Sequence, residues 1–190
     1  MGIAVFGLAE CRTVNIKTHA CLIYVCLEGF AKVRAGVGGL FAAEILRQIK
    51  ETAKAQRPRC AVLTCSDSRL SPELLTLSGI GEMFVVRVAG NVVDELVYHS
   101  LKFAVEKLGV DTIYVIGHRR CGAVALGMEG AAPPPIQKQI DEAVKRAGRR
   151  EPEAVEVENV KLSCERLRDI GARVEGYYYD MDAVELRKVC

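Results

Sequence analysis

Cys65, His118 and Cys121 are the residues of this sequence best suited to chemistry. Two thiolates and one imidazole are good zinc ligands, and three protein ligands leave a fourth position open, the arrangement of a catalytic site. His118 and Cys121 stand three residues apart, so a single strand-to-helix turn can aim both at one point. Cys65 lies far upstream and joins them only if the ends of two strands come side by side. The same residues have a plainer reading, as two buried small hydrophobes and a histidine in a turn. Cys65 also opens the stretch Cys65-Ser66-Asp67-Ser68-Arg69, which puts a carboxylate and a guanidinium two residues apart. Alone, that pair is an ordinary surface contact worth little. Beside a metal ligand, Asp67 is near enough for its carboxylate to reach the open position.

The pattern around these residues supplies the elements that must position them. Cys60 to Thr64 is a short, continuous apolar run of the kind that buried parallel strands show. Ser71-Pro72-Glu73 reads as a helix start, with Ser71 as cap and Pro72 in the first position. Met83 to Val88 is a second strand, closed by Ala89-Gly90-Asn91. Asp94 opens an amphipathic helix that Gly109 ends. Thr112 to Gly117 is a third buried strand, running into His118 and a helix that begins near Cys121. After the break at Ala131 to Pro135, polar helices are expected over Ile136 to Ala147 and Pro152 to Ile170. Val174 to Asp180 and Val184 to Arg187 read as a closing strand and its hairpin partner. Alternating strands and helices imply an α/β fold, a mainly parallel sheet flanked by helices with a C-terminal hairpin at the edge. In such sheets ligands gather at the carboxyl ends of strands, where Cys65 and His118 both fall.

Composition excludes other classes of function. The 190 residues are 50% hydrophobic and carry 26 basic against 24 acidic side chains, a formal charge of +2. That balance, with no basic run, argues against nucleic acid as a partner. No apolar stretch reaches the roughly 18 residues of a membrane helix. Residues Ile3 to Ala9 and Ala20 to Leu27 are weak imitations of a signal segment, so a reducing cytoplasm is the expected compartment for the eight cysteines.

The stretch from Cys65 to Arg69, taken with His118-Arg119-Arg120-Cys121-Gly122, resembles the paired signature of the β-class carbonic anhydrases. Val85 to Val93, Ser100 to Val110, Ile116-Gly117-His118, Glu158-Asn159-Val160 and Gly176 to Asp180 resemble further segments of that family. The resemblance covers about Leu40 to Arg187. It implies one zinc ion per chain on Cys65, His118 and Cys121, and the reversible hydration of carbon dioxide to bicarbonate. Asp67 is implied to accept a hydrogen bond from the attacking water and Arg69 to hold Asp67 off the metal. Ala89, Gly90 and Gly122 are implied walls of the substrate pocket. If Asp67 instead took the open position on zinc, the site would be closed, an arrangement that falling pH should favour. Two positions depart from the family pattern: Arg119 stands where Ser or Thr is usual, and Val88 where Asn is. Hydrolysis of carbonyl sulfide or carbon disulfide, and a non-catalytic zinc-bound bicarbonate sensor, are the alternatives.

Residues 1–39 have no counterpart in the resemblance and form an extension of unknown role, with residues 40–190 as the catalytic domain. Leu40 to about Ala55 is an amphipathic helix with no partner in a compact α/β unit, and with the resemblance it implies a homodimer or an assembly of dimers. Cys60 is expected in strand core, Cys164 on a helix and Cys190 as a terminal thiol. Cys11, Cys21 and Cys26 with His19 could offer donors to a second metal, but the absence of any Cys-x-x-Cys pair argues against one. His99 fits a structural place within its helix.

Overall fold

A computed structural model describes residues 39–190. The chain divides into two units, residues 1–53 and 54–190. Of the first, the described part is helix α1, Gly39–Thr52. Arg47 pairs along its surface with Glu44 and Glu51. The extension over residues 1–38, with His19, Cys11, Cys21 and Cys26, lies outside the described residues.

The second unit is built as the alternation of apolar runs requires. Strand β1 (Cys60–Thr64) is followed by α2 (Pro72–Thr76), β2 (Met83–Arg87), a short 3-10 turn (Ala89–Asn91) and α3 (Glu95–Leu108). Then come β3 (Thr112–His118), α4 (Gly122–Met128), α5 (Pro134–Ala147), α6 (Pro152–Arg166), β4 (Arg173–Asp180) and β5 (Glu185–Lys188). Among the described residues the sheet order is β2-β1-β3-β4-β5, parallel except for the antiparallel β4–β5 hairpin. From β1 the chain goes to β2 on one side and to β3 on the other. The carboxyl ends of β1 and β3 therefore flank the switch in strand order, where an open α/β sheet leaves a crevice.

The main core covers one face of the sheet. Ala61, Leu63, Ile113 and Val115 pack with Val97, Leu101 and Ala104 of α3 and with Val160 and Leu167. A second cluster joins Cys65, Cys121, Val124, Ile140, Ala143, Val155 and Leu162. Two glycines let elements approach closely. A Cβ on Gly127 would lie 2.6 Å from Ile140 Cγ2, and one on Gly117 would lie 2.3 Å from Val160 Cγ2. No helix among the described residues is long and apolar enough to cross a membrane.

Element ends differ in instructive ways. Asp94 caps α3 as its sequence implies, accepting from Val97 N–H at 2.8 Å. Ser71 precedes α2 with Pro72 in the first position, yet its hydroxyl faces the Glu73 carboxylate and makes no cap bond. Helix α6 stops at Arg166, four residues earlier than the apolar spacing implies. Leu167 and Ile170 continue the buried periodicity through tight turns, with Ile170 N–H bonding Leu167 O, before Gly171 at φ +95° turns the chain. Cys60 is half-buried at the start of β1 and not in the strand core.

Candidate metal centre

Cys65 follows β1, His118 ends β3 and Cys121 caps α4, so adjacent strands deliver the three side chains to one end of the sheet. All three are buried, and their ligand atoms lie within 4.8 Å of one another. The two sulfurs are 3.9 Å apart. Between His118 and Cys121 the chain reverses at Arg120, a non-glycine residue with φ +56°. A left-handed residue there is costly and persists only where its surroundings enforce it. Here Arg120 O accepts from Arg69 Nη2 at 3.1 Å, and its guanidinium bonds Asp182.

The histidine is oriented for ligation. Its Nδ1 lies 3.0 Å from Arg119 O. A carbonyl only accepts, so Nδ1 carries the proton and Nε2 presents its lone pair. Nε2 is fully buried and has no hydrogen-bond partner. A buried acceptor left bare costs about 1–3 kcal/mol, whereas a metal among these donors satisfies it. The donor set therefore fits zinc. The hydrogen bond between the two sulfurs holds Cys65 below the ordinary thiol range, and that neighbour together with burial pushes Cys121 up. Gly90 N–H adds a hydrogen bond to Cys65 Sγ at 3.2 Å.

Asp67 stands at the rim of this cluster, with Oδ2 3.8 Å from His118 Nε2. Arg69 grips both carboxylate oxygens, Nε to Oδ1 at 2.9 Å and Nη2 to Oδ2 at 2.7 Å. Its backbone N–H donates to Oδ1 as well, at 3.0 Å. A forked guanidinium–carboxylate pair is stronger and more directional than a single contact. It holds the Asp67 carboxyl well below the usual carboxylate range. Arg87 fastens the loop from below, donating to Asp67 O at 2.7 Å and to Cys65 O.

The three small residues expected at the pocket wall are brought near the cluster. Ala89 and Gly90 form the turn after β2, and Gly122 opens α4. Gly90 has φ +72°, and a Cβ there would meet Ala123 Cβ at 3.2 Å, so a side chain would be strained and crowded. The turn is held by a buried polar chain. Asn159 Nδ2 donates to Gly90 O at 2.7 Å, Ser163 Oγ to Asn91 O at 2.9 Å, and Val93 N–H to Gln139 Oε1 at 3.0 Å. Gln139 Nε2 in turn donates to Asn159 Oδ1 and Ser163 Oγ.

Glu156 is a further buried group that sequence reasoning missed. It accepts from Cys121 N–H at 2.9 Å and from the Tyr178 hydroxyl at 2.8 Å. Burial pushes its carboxyl up, and those two donors pull it back. A signal for these groups did exist. Gln139 shares a helical phase with Ile136, Ile140 and Ala143, and Glu156 shares one with Asn159, Val160 and Ser163. A polar residue in a core phase calls for a buried partner. The departures are accommodated: Arg119 offers its carbonyl to His118 and sends its guanidinium to Asp180, Glu153 and Asp182. Val88 contributes backbone bonds to Thr64, Ser66 and Asn91. His99 is exposed on α3, in edge contact with Tyr98.

Comparison with known proteins matches the geometry. A family model described as carbonic anhydrase covers residues 60–177. A carbonic anhydrase of Mycolicibacterium smegmatis is 39% identical over 121 residues, 62% of this chain and 58% of that protein. The match to a carbonic anhydrase of Mycobacterium tuberculosis is 46% identical over 72 residues, 38% of this chain and 35% of that protein. The chain thus spans between about a third and three fifths of the length of these relatives. Among solved structures, the β-carbonic anhydrase CcaA superposes with a TM-score of 0.73 at 21% identity, over 87% of this chain and 86% of that one. A β-carbonic anhydrase of Sordaria macrospora, described as tetrameric, gives 0.70 at 20% identity, over 87% and 97%. With a family model spanning most of the sheet and both halves of the Cys-His-Cys cluster, the chain belongs to the β-class carbonic anhydrase family.

Proposed function

We propose that this chain catalyses the reversible hydration of carbon dioxide to bicarbonate and a proton, at one zinc ion held by Cys65, His118 and Cys121. The observation that carries the reading is the bare, buried Nε2 of His118, facing two thiol sulfurs and a carboxylate that Arg69 immobilises. Zinc on such donors supplies Lewis acidity, which in the most favourable protein sites lowers the pKa of water from 15.7 to about 7.

The chain's own residues do the rest. Asp67, kept ionised by Arg69, accepts a hydrogen bond from water and so aims an oxygen lone pair at the carbon of carbon dioxide. Arg69 fixes the direction of that acceptor and keeps it from swinging toward the metal position, where it would shut the site. Gly90 N–H and the shared position of Cys65 and Cys121 favour negative charge on sulfur. Ala89, Gly90 and Gly122 carry almost no side chain, which leaves room for a small linear substrate. The proton leaves to solvent, since the Asp67 side chain remains 16% exposed.

A homodimer, or an assembly of dimers, is the proposed working form. Leu74, Leu77 and Leu96 are 69%, 92% and 75% exposed, apolar surface that association would cover. A monomeric mass by light scattering at micromolar concentration would contradict this.

Stopped-flow hydration of carbon dioxide by the zinc-loaded protein tests the function. Asp67→Asn should lose about 10²–10⁴-fold in turnover, and Arg69→Ala should lose turnover with its zinc intact. Faster hydrolysis of carbonyl sulfide or carbon disulfide than hydration of carbon dioxide would assign a different substrate. Zinc without turnover of any of the three gases would leave a sensing module.

A further inference from the structure

About two helical turns along α6 from Glu156, a second pair of cysteines meets. Cys164 lies near the end of α6, and Cys190 lies just past β5, beside β4. Both sulfurs occupy the space above Gly176 in β4. A Cβ on that residue would be 2.3 Å from Cys190 Sγ and 2.7 Å from Cys164 Sγ, so only a glycine admits the two thiols together. Glycine inside a strand often marks such a close approach. The backbone holds Cys190 in place. Cys190 N–H donates to Gly176 O, and Gly176 N–H donates to Cys190 O at 3.2 Å. The pair opens to solvent through a cleft lined by Lys161, Cys164, Glu165, Arg168, Val174 and Cys190. Cys164 is buried and Cys190 is exposed.

We infer that Cys164 and Cys190 form a peroxide-sensitive dithiol, an oxidation site separate from the metal centre, in which Cys190 is the attacking thiol and Cys164 the resolving one. The assignment of roles follows from access, because a hydroperoxide in the cleft meets Cys190 first. It agrees with the electrostatics: a hydrogen bond from the Cys164 thiol lowers Cys190, with Lys161 and Lys188 assisting, while Cys164 is pushed up. Thiolate fraction and exposure together select which cysteine oxidises.

The chemistry balances with the peroxide as the only oxidant. The Cys190 thiolate attacks one peroxide oxygen; an S–O bond forms, the O–O bond breaks, and hydroxide leaves, taking up a proton to become water. Cys164 sulfur then attacks the sulfenic sulfur of Cys190; the S–S bond forms, the S–O bond breaks, and a second water leaves with the Cys164 proton. Two thiols lose two electrons and two protons, and one hydrogen peroxide becomes two waters. The disulfide would tie the tail of the hairpin to α6, the helix that carries Glu156, Asn159 and Ser163.

The test uses the zinc-loaded protein, so that Cys65 and Cys121 are occupied, treated with about one equivalent of hydrogen peroxide per chain. Tryptic mapping should show the peptide containing Cys164 joined to the one containing Cys190 as the dominant product, and dithiothreitol should reverse it. In Cys164→Ser, Cys190 should stop as a sulfenic acid that dimedone traps. In Cys190→Ser, Cys164 should stay reduced under the same dose. The inference is overturned if other cysteines oxidise first. It is also overturned if Cys190 links to a second chain, or if Cys164 reacts as readily without Cys190 as with it. Each readout is a peptide mass and does not depend on catalytic activity.

Discussion

Replacing Asn159 with alanine tests whether the buried chain from α5 and α6 sets the geometry of the metal cluster. Asn159 is 1% exposed and makes two short bonds, one to Gly90 O and one from Gln139 Nε2, each 2.7 Å. Truncation leaves the Gly90 carbonyl and one Gln139 N–H without partners and opens a small void. Each orphaned group costs about 1–3 kcal/mol, so a loss of about 3 kcal/mol is expected once some relaxation is allowed. For a chain of this size that is a fall of about 6–12 °C in Tm. The effect should reach the site, because the same residue whose carbonyl Asn159 holds gives its N–H to Cys65. Loss of groups that orient metal ligands commonly weakens metal binding by about 10–100-fold. Calorimetry gives the first quantity and competition with a chromophoric zinc chelator the second. Glu158→Ala, which breaks only a partly exposed pair with Lys161, is the control and should change Tm by no more than about 2 °C. If Asn159→Ala melted and bound zinc as the parent does, the chain of bonds would be ornament and the argument refuted.

Gly117→Ala should destabilise by about 1–3 kcal/mol through overpacking, since its Cβ would sit 2.3 Å from a methyl of fully buried Val160. The same change in a Val160→Ala background should cost less, and strictly additive urea midpoints would contradict the contact. A pH effect is expected at the β4–β5 hairpin. The Tyr177 hydroxyl and Lys188 hold Glu175 below its ordinary value of 4.5. A depressed carboxyl stabilises the fold above its unfolded value, and that contribution disappears as pH falls through the folded one. Hydrogen-exchange protection of the β5 amides should therefore decline below about pH 4.5, and Glu175→Gln should flatten the decline; a pH-independent protection factor in the parent would refute it.

Much of this site is legible in the sequence because its residues sit where strands end. Buried parallel strands write themselves as continuous apolar runs, so Cys60 to Thr64 and Thr112 to Gly117 mark the sheet, and Cys65 and His118 fall at its carboxyl edge. The His118-x-x-Cys121 turn is local and follows from spacing alone. What escaped depends on side chains meeting across the fold. Ser71 resembles a helix cap by type, but its hydroxyl had a nearer option in Glu73. Helix α6 was expected to run to Ile170 because burial continues there after helical hydrogen bonding stops. Glu156 and Gln139 carry no motif, and of their partners Cys121 lies 35 residues from the first and Val93 46 residues from the second. The meeting of Cys164 and Cys190 requires knowing that Gly176 stands between them, which no spacing reveals.

Zinc K-edge X-ray absorption on the purified protein tests the central claim most directly. The expected result is about one zinc per chain with two sulfur ligands near 2.3 Å and one imidazole nitrogen near 2.0–2.1 Å, the fourth ligand being a light atom. In Cys121→Ser the sulfur count should fall to one. A spectrum with no sulfur, with four sulfurs, or unchanged by Cys121→Ser would contradict a metal centre made of Cys65, His118 and Cys121.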